Sequence, residues 1–147
     1  MSEKNFFLDV ELDMDAADKG DFFEKTADLL MKKNIGTDKQ KIVDGFFERE
    51  EIGGTLNYPG LAIPHTTGNF IKRDTILFIR TKNPIQNWQD EYPAQNFICL
   101  CLTDKPLKET LKYIEKLMHA SLTPAGEKIL LSGNRKQLEE LFTNPEL

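Results

Sequence analysis

Residues Phe97–Leu102, FICLCL, are apolar at every position. A strand with one wet face alternates apolar and polar residues, so an unbroken apolar run of this length predicts a strand inside a sheet covered on both sides. The chain that follows supplies one cover. Leu107, Leu111, Ile114, Leu117, Met118 and Leu122 recur at steps of three and four after Pro106, which predicts a helix over 106–122 with these residues on its inward face. PAGEKILL (124–131) and NRKQLEELF (134–142) give two shorter helical patterns separated by Ser132-Gly133.

The other cover comes from the N-terminal third. DFFEKTADLLMKK (21–33) places Phe22, Phe23, Ala27, Leu29 and Leu30 at helical spacing, with Asp21 as a candidate cap. TDKQ (37–40) matches a capping box and predicts a second helix to about Glu50. IGGTLNYPG (52–60) reads as loop, TILFIR (75–80) as a strand and NPIQNW (83–88) as a turn. Strands interleaved with helices predict an α/β fold: one domain over residues 1–147, with a mixed β-sheet flanked by helices on both sides.

Composition sets the outer limits. The chain has 147 residues, enough for one core, and its ten phenylalanines with 39% hydrophobic residues argue for a folded domain. A formal net charge of −5 without long runs of one sign disfavours nucleic acid and anionic membranes as partners. No apolar stretch approaches the roughly 20 residues that span a bilayer, and Met1–Phe7 lacks the pattern of a leader, which leads to the expectation of a cytoplasmic protein. Cys99 and Cys101, two apart in a strand, point to one face without disulfide geometry, and are read as buried thiols rather than metal ligands.

Only two histidines are present. His65 closes the stretch GLAIPH and is followed by Thr66 and Thr67. Pro64 fixes its own φ and restricts Ile63, so the backbone that presents the imidazole is stiff. No serine-nucleophile motif, carboxylate pair or P-loop accompanies it, which narrows its chemistry to acid/base catalysis or nucleophilic attack. A structural histidine at a strand end is the alternative. A phosphoryl group on this ring needs donors, which Thr66 and Thr67 can offer as hydroxyls or backbone amides, although an ordinary polar turn has the same composition.

Arg49 falls seven residues after Ile42, within about 20° of it on a helix, so a charge extends an apolar stripe. It calls for Glu48, Glu50 or another acid as partner, or for an anionic ligand; compensation of the helix dipole is the simpler alternative.

FFEREEIGGT, GLAIPH, PIQNW and FICLCL, in this order, resemble the IIA domains of the fructose/mannitol type in the bacterial phosphotransferase system. The resemblance runs from about Phe6 to Phe142 and is most specific at GLAIPH. It implies that His65 is the phosphorylated nucleophile, taking a phosphoryl group from the carrier protein HPr and passing it to a IIB component, which with the membrane component IIC phosphorylates the incoming sugar. It implies no nucleotide or metal cofactor, a phosphotransferase activity, and a role for Arg49 in holding the phosphoryl group. The alternative is a regulatory domain whose phosphorylation at His65 controls a protein partner.

The resemblance breaks at one place. Such domains carry a second histidine at the start of the helix after the interior strand, in a pattern like His-Leu-x-x-Leu, where this chain has Thr110 in TLKYI. His119, nine residues further on, is about 900° around and about 13 Å along a helix, so it cannot substitute and is expected at the surface. Thr110 and Thr66 are the expected hydroxyl donors to the phosphoryl group, and a neutral donor holds an anion less strongly than an imidazolium.

Overall fold

FICLCL lies in the middle of the sheet. The computed structural model describes residues 4–145. In chain order the elements are β1 (Phe7–Met14), α1 (Lys19–Lys32), α2 (Lys39–Gly53), β2 (Leu56–Tyr58), β3 (Gly60–Ala62), β4 (His65–Thr67), β5 (Thr75–Gln89), β6 (Tyr92–Leu102), α3 (Lys108–Ser121), α4 (Pro124–Ser132) and α5 (Arg135–Thr143). The strand order is β1-β5-β6-β3-β2, with β4 also paired to β6. β5 and β6 form an antiparallel hairpin, β1 runs parallel to β5, and β3 and β4 both run parallel to β6. The sheet is mixed, as the sequence predicts.

Strand alternation divides β6 between two cores. Phe97, Cys99 and Cys101 pack with Phe22, Phe23 and Leu30 of α1 and Ile42 and Phe46 of α2. Ile98 and Leu100 pack with Tyr113 and Leu117 of α3, Leu130 of α4 and Leu138 of α5. Helices thus cover both faces, and both cysteines are buried free thiols.

Several local expectations need correction. NPIQNW is not a turn: β5 continues through it to Gln89, and its breaker residues produce register shifts against β6 between Arg80 and Ile85 and between Ile85 and Gln89. A proline that cannot donate and an Asn87 at φ 52° are absorbed as bulges in the strand. Trp88 is thereby turned into the core, its ring 4.7 Å from Phe97 and 5.5 Å from Phe22.

Helix starts also shift. Asp18 rather than Asp21 caps α1, accepting from Asp21 N, while the Asp21 carboxylate accepts from Ala17 N. The expected Thr37/Gln40 capping box does not form. Asp38 caps α2 by accepting from Lys41 N; Thr37 donates to Phe70 O and Gln40 to Asp44. An aspartate was available one residue inside the threonine, and it is the equal or better cap. α2 runs on to Gly53, and the loop expected over 52–60 contains its last two residues, β2 and the first residue of β3.

The inward face of α3 is the largest correction. Thr110, Tyr113, Leu117, Ala120 and Ser121 are buried, whereas Leu107, Leu111 and Leu122 are exposed. Leu117 is buried as expected and Ile114 and Met118 pack partly buried against the same core, while Thr110 and Ser121 join the inward face because Asp74 and Met118 O satisfy their hydroxyls in the interior.

Candidate functional site

His65 is the first residue of β4, paired with Leu100 of β6; Thr66 and Thr67 pair with Cys101 and Leu102. Two backbone bonds deliver it there. Leu100 N donates to Pro64 O at 2.9 Å, and Ile63 N donates to Thr55 O at 2.8 Å. The rigid X-Pro-His segment is therefore tied to the central strand on one side and to the end of α2 on the other.

α2 is held against β4 at close range. Thr66 Oγ1 donates to Ile42 O at 2.9 Å, and Gly45, one turn before Arg49, lies where a Cβ would run into Thr66 Oγ1. Glycine at 45 lets the helix approach, and the approach carries Arg49 toward the head of β4. Arg49 NH1 donates to Gly54 O at 3.3 Å. Among the described residues no carboxylate forms an ion pair with Arg49: Glu50 faces Lys19 at 3.0 Å and accepts from Thr55 Oγ1. Of the partners considered for this arginine, the local acids are ruled out by geometry.

The electrostatics at His65 follow from this placement. Burial, and secondarily the Arg49 guanidinium, push its pKa down from 6.5 to about 4. The ring is a neutral imidazole at neutral pH, with a nitrogen lone pair available for attack, beside a guanidinium whose hydrogen bond among the described residues is to Gly54 O.

The two threonines are placed differently from expectation as donors. Thr66 gives its hydroxyl proton to Ile42 O. Thr110 is fully buried and gives its proton to Asp74 Oδ2 at 2.7 Å. Leu107 N at 2.9 Å donates to the same oxygen, while Thr103 N and Oγ1 donate to Oδ1 at 3.0 and 3.1 Å. Burial opposes the charge on Asp74, but the donors from Leu107, Thr103 and Thr110 prevail and hold its pKa below the usual carboxylate value. Thr110 thus fastens the start of α3 to the sheet, and each hydroxyl, having one proton, has none left for a phosphoryl oxygen. His119 is exposed near the end of α3.

The sequence reading missed Gly45, Asp74 and the Lys19–Glu50–Thr55 cluster. A glycine in mid-helix was a signal for the first, since it costs about 1 kcal/mol against alanine and calls for a packing reason.

The family model described as "Phosphoenolpyruvate-dependent sugar phosphotransferase system, EIIA 2" matches residues 7–144. The chain belongs to this EIIA family. Solved structures agree with the fold. The nitrogen regulatory protein IIA-Ntr from Neisseria meningitidis superposes with a TM-score of 0.74 at 25% identity, covering 90% of this chain and 92% of that one. IIA mannitol from Escherichia coli gives 0.68 at 18% identity, covering 90% and 94%. A second Escherichia coli structure, enzyme IIA mannitol in complex with phosphorylated enzyme IIB mannitol, gives 0.68 at 17% identity, covering 91% and 93%. A search among curated proteins finds no match. Domains of this EIIA family act in phosphoryl transfer between proteins. No helix among the described residues is long and apolar enough to cross a membrane.

Proposed function

We propose that this EIIA domain is a phosphoryl carrier that takes the group from phosphorylated HPr onto His65 and hands it to a IIB component for sugar phosphorylation. The observation that carries the reading is the neutral His65 imidazole next to an Arg49 that has no carboxylate partner among the described residues. The lone pair of one ring nitrogen attacks phosphorus as the P–N bond to the donor histidine breaks, and the bonding pair returns to the donor ring. The proton on the other nitrogen of His65 is released, and the leaving imidazole takes one up. Arg49 neutralises charge on the transferring oxygens, the electrostatic task in which charge-assisted donors are worth most.

The complex of mannitol IIA with phosphorylated IIB supports a IIB component as the acceptor. A cytoplasmic location fits soluble protein partners on both sides of the relay. Thr66 and Thr110 serve this site by fixing α2 and α3, and Arg49 is the principal phosphoryl ligand.

A second reading is regulatory: the phosphorylation state of His65 controls a protein partner. The likeness to IIA-Ntr and the commitment of Thr110 to Asp74 favour it. Chasing the phosphorylated chain with a IIB component separates the two. Rapid loss of the phosphoryl group to IIB supports the relay, and retention with every IIB offered supports the regulatory reading.

A further inference from the structure

Glu50 is the least exposed charged side chain in the ion pairs of the described residues, 7% accessible, and it follows Arg49 in the chain without forming an ion pair with it. Burying a carboxylate this deeply is unfavourable unless each oxygen is satisfied, and here they are: Oε1 meets the Lys19 ammonium at 3.0 Å, and Oε2 accepts from the Thr55 hydroxyl. Lys19 is itself seated over the Trp88 ring, 4.6 Å from its centroid, so the ion pair is anchored to the aromatic core.

The cluster ends at the two backbone carbonyls that position the candidate chemistry. Gly54 O takes the Arg49 guanidinium, and Thr55 O takes Ile63 N, two residues before His65. On its other side the same turn is closed by Gln89: its Oε1 accepts from Leu56 N at 2.9 Å, and its side chain occupies the space a Cβ on Gly54 would need. Gly54, which caps α2, sits at φ 72° and ψ 173°, an extended positive-φ conformation open essentially only to glycine.

We propose that Glu50 is a positioning residue for phosphoryl transfer at His65: through Lys19 and the Thr55 hydroxyl it holds the Gly54–Thr55 turn, which sets Arg49 and the strand of His65 relative to each other. Lys19 has a second effect, since it occupies Glu50, one of the two glutamates that flank Arg49 in sequence, and so withholds that carboxylate from the arginine. This rests on the reading of His65 as the phosphoryl acceptor, but the positioning can be tested without transfer.

The test compares the full chain with Glu50→Gln, Thr55→Val and Thr55→Ser. Two quantities are followed: the His65 imidazole titration by NMR, and phosphoryl uptake from phosphorylated HPr at varied HPr. Glu50→Gln and Thr55→Val should lower the maximal rate about tenfold with KM changed less than about twofold, because orientation is lost and docking is not. Thr55→Ser keeps the hydroxyl and should recover most of the rate. In the first two variants the His65 midpoint should rise toward its ordinary value as the turn loosens and Arg49 moves away. An unchanged midpoint in both, with the fold intact by NMR, overturns the proposal, as does an unchanged rate. Should Glu50→Gln fail to fold, Thr55→Val carries the test. If the unaltered chain takes up no phosphoryl group, the function proposed above fails, while the titration still decides whether Glu50 positions the site.

Discussion

Lowering the pH should destabilise the domain through His65 in a window that its surroundings define. Burial and Arg49 depress the folded pKa from 6.5 to about 4, so between those values the unfolded chain binds a proton that the folded one refuses. The unfolded state holds more protons there, and stability therefore falls as pH drops from 6.5 toward 4 and levels off below. With those two pKa values the loss between about pH 7 and about pH 4.5 is about 2 kcal/mol, since a tenfold difference in proton affinity between the folded and unfolded chain corresponds to about 1.4 kcal/mol. Urea unfolding at the two pH values, for the original chain and for His65→Gln, isolates the contribution, because Asp74, Asp21 and the other carboxylates titrate in both. The original chain should lose about 2 kcal/mol more than the variant on acidification. Equal losses, or a larger loss in the variant, would refute the argument that the imidazole is held neutral by its site.

The same placement leads to further expectations. Arg49→Met removes the cation, so phosphoryl uptake from phosphorylated HPr should fall about a hundredfold, the scale on which one preorganised donor acts, and the His65 midpoint followed by NMR should rise. Gly45→Ala forces a Cβ into Thr66 Oγ1; overpacking of about 1–3 kcal/mol exceeds the helix-propensity gain of about 1 kcal/mol, and Gly45→Ala with Thr66→Ala should recover stability in chemical denaturation. Thr110→His restores the residue type of the family pattern at a fully buried position and breaks the bond to Asp74, so it should destabilise the fold by about 1–3 kcal/mol in thermal unfolding.

How far the sequence could be read depended on whether the relevant forces are local. FICLCL announced a central strand because burial on both faces leaves no alternation, and α1, α4 and α5 were legible from spacing that short-range packing enforces. NPIQNW misled because proline and asparagine signal turns, whereas pairing with β6 and the burial of Trp88 carry the strand through them as bulges. The face of α3 misled for a similar reason. A buried threonine is legible as core only once Asp74, 36 residues before it in sequence, is known to lie beside it, and Ser121 is satisfied separately by Met118 O of its own helix.

The candidate site was legible where chain neighbours define it and opaque where it depends on distant contacts. Pro64 and His65 are adjacent, and the misfit of Arg49 on its helix followed from helical geometry alone. That Glu50 is taken by Lys19, and so withheld from Arg49, depends on a contact between residues 31 apart. No periodicity encodes it.

The most direct test of the central claim is the intact mass of the chain after incubation with phosphoenolpyruvate, enzyme I and HPr, with His65→Ala alongside. The account predicts the gain of one acid-labile phosphoryl group in the original chain and none in the variant. No gain with HPr that is itself phosphorylated, or an equal gain in His65→Ala, would contradict it.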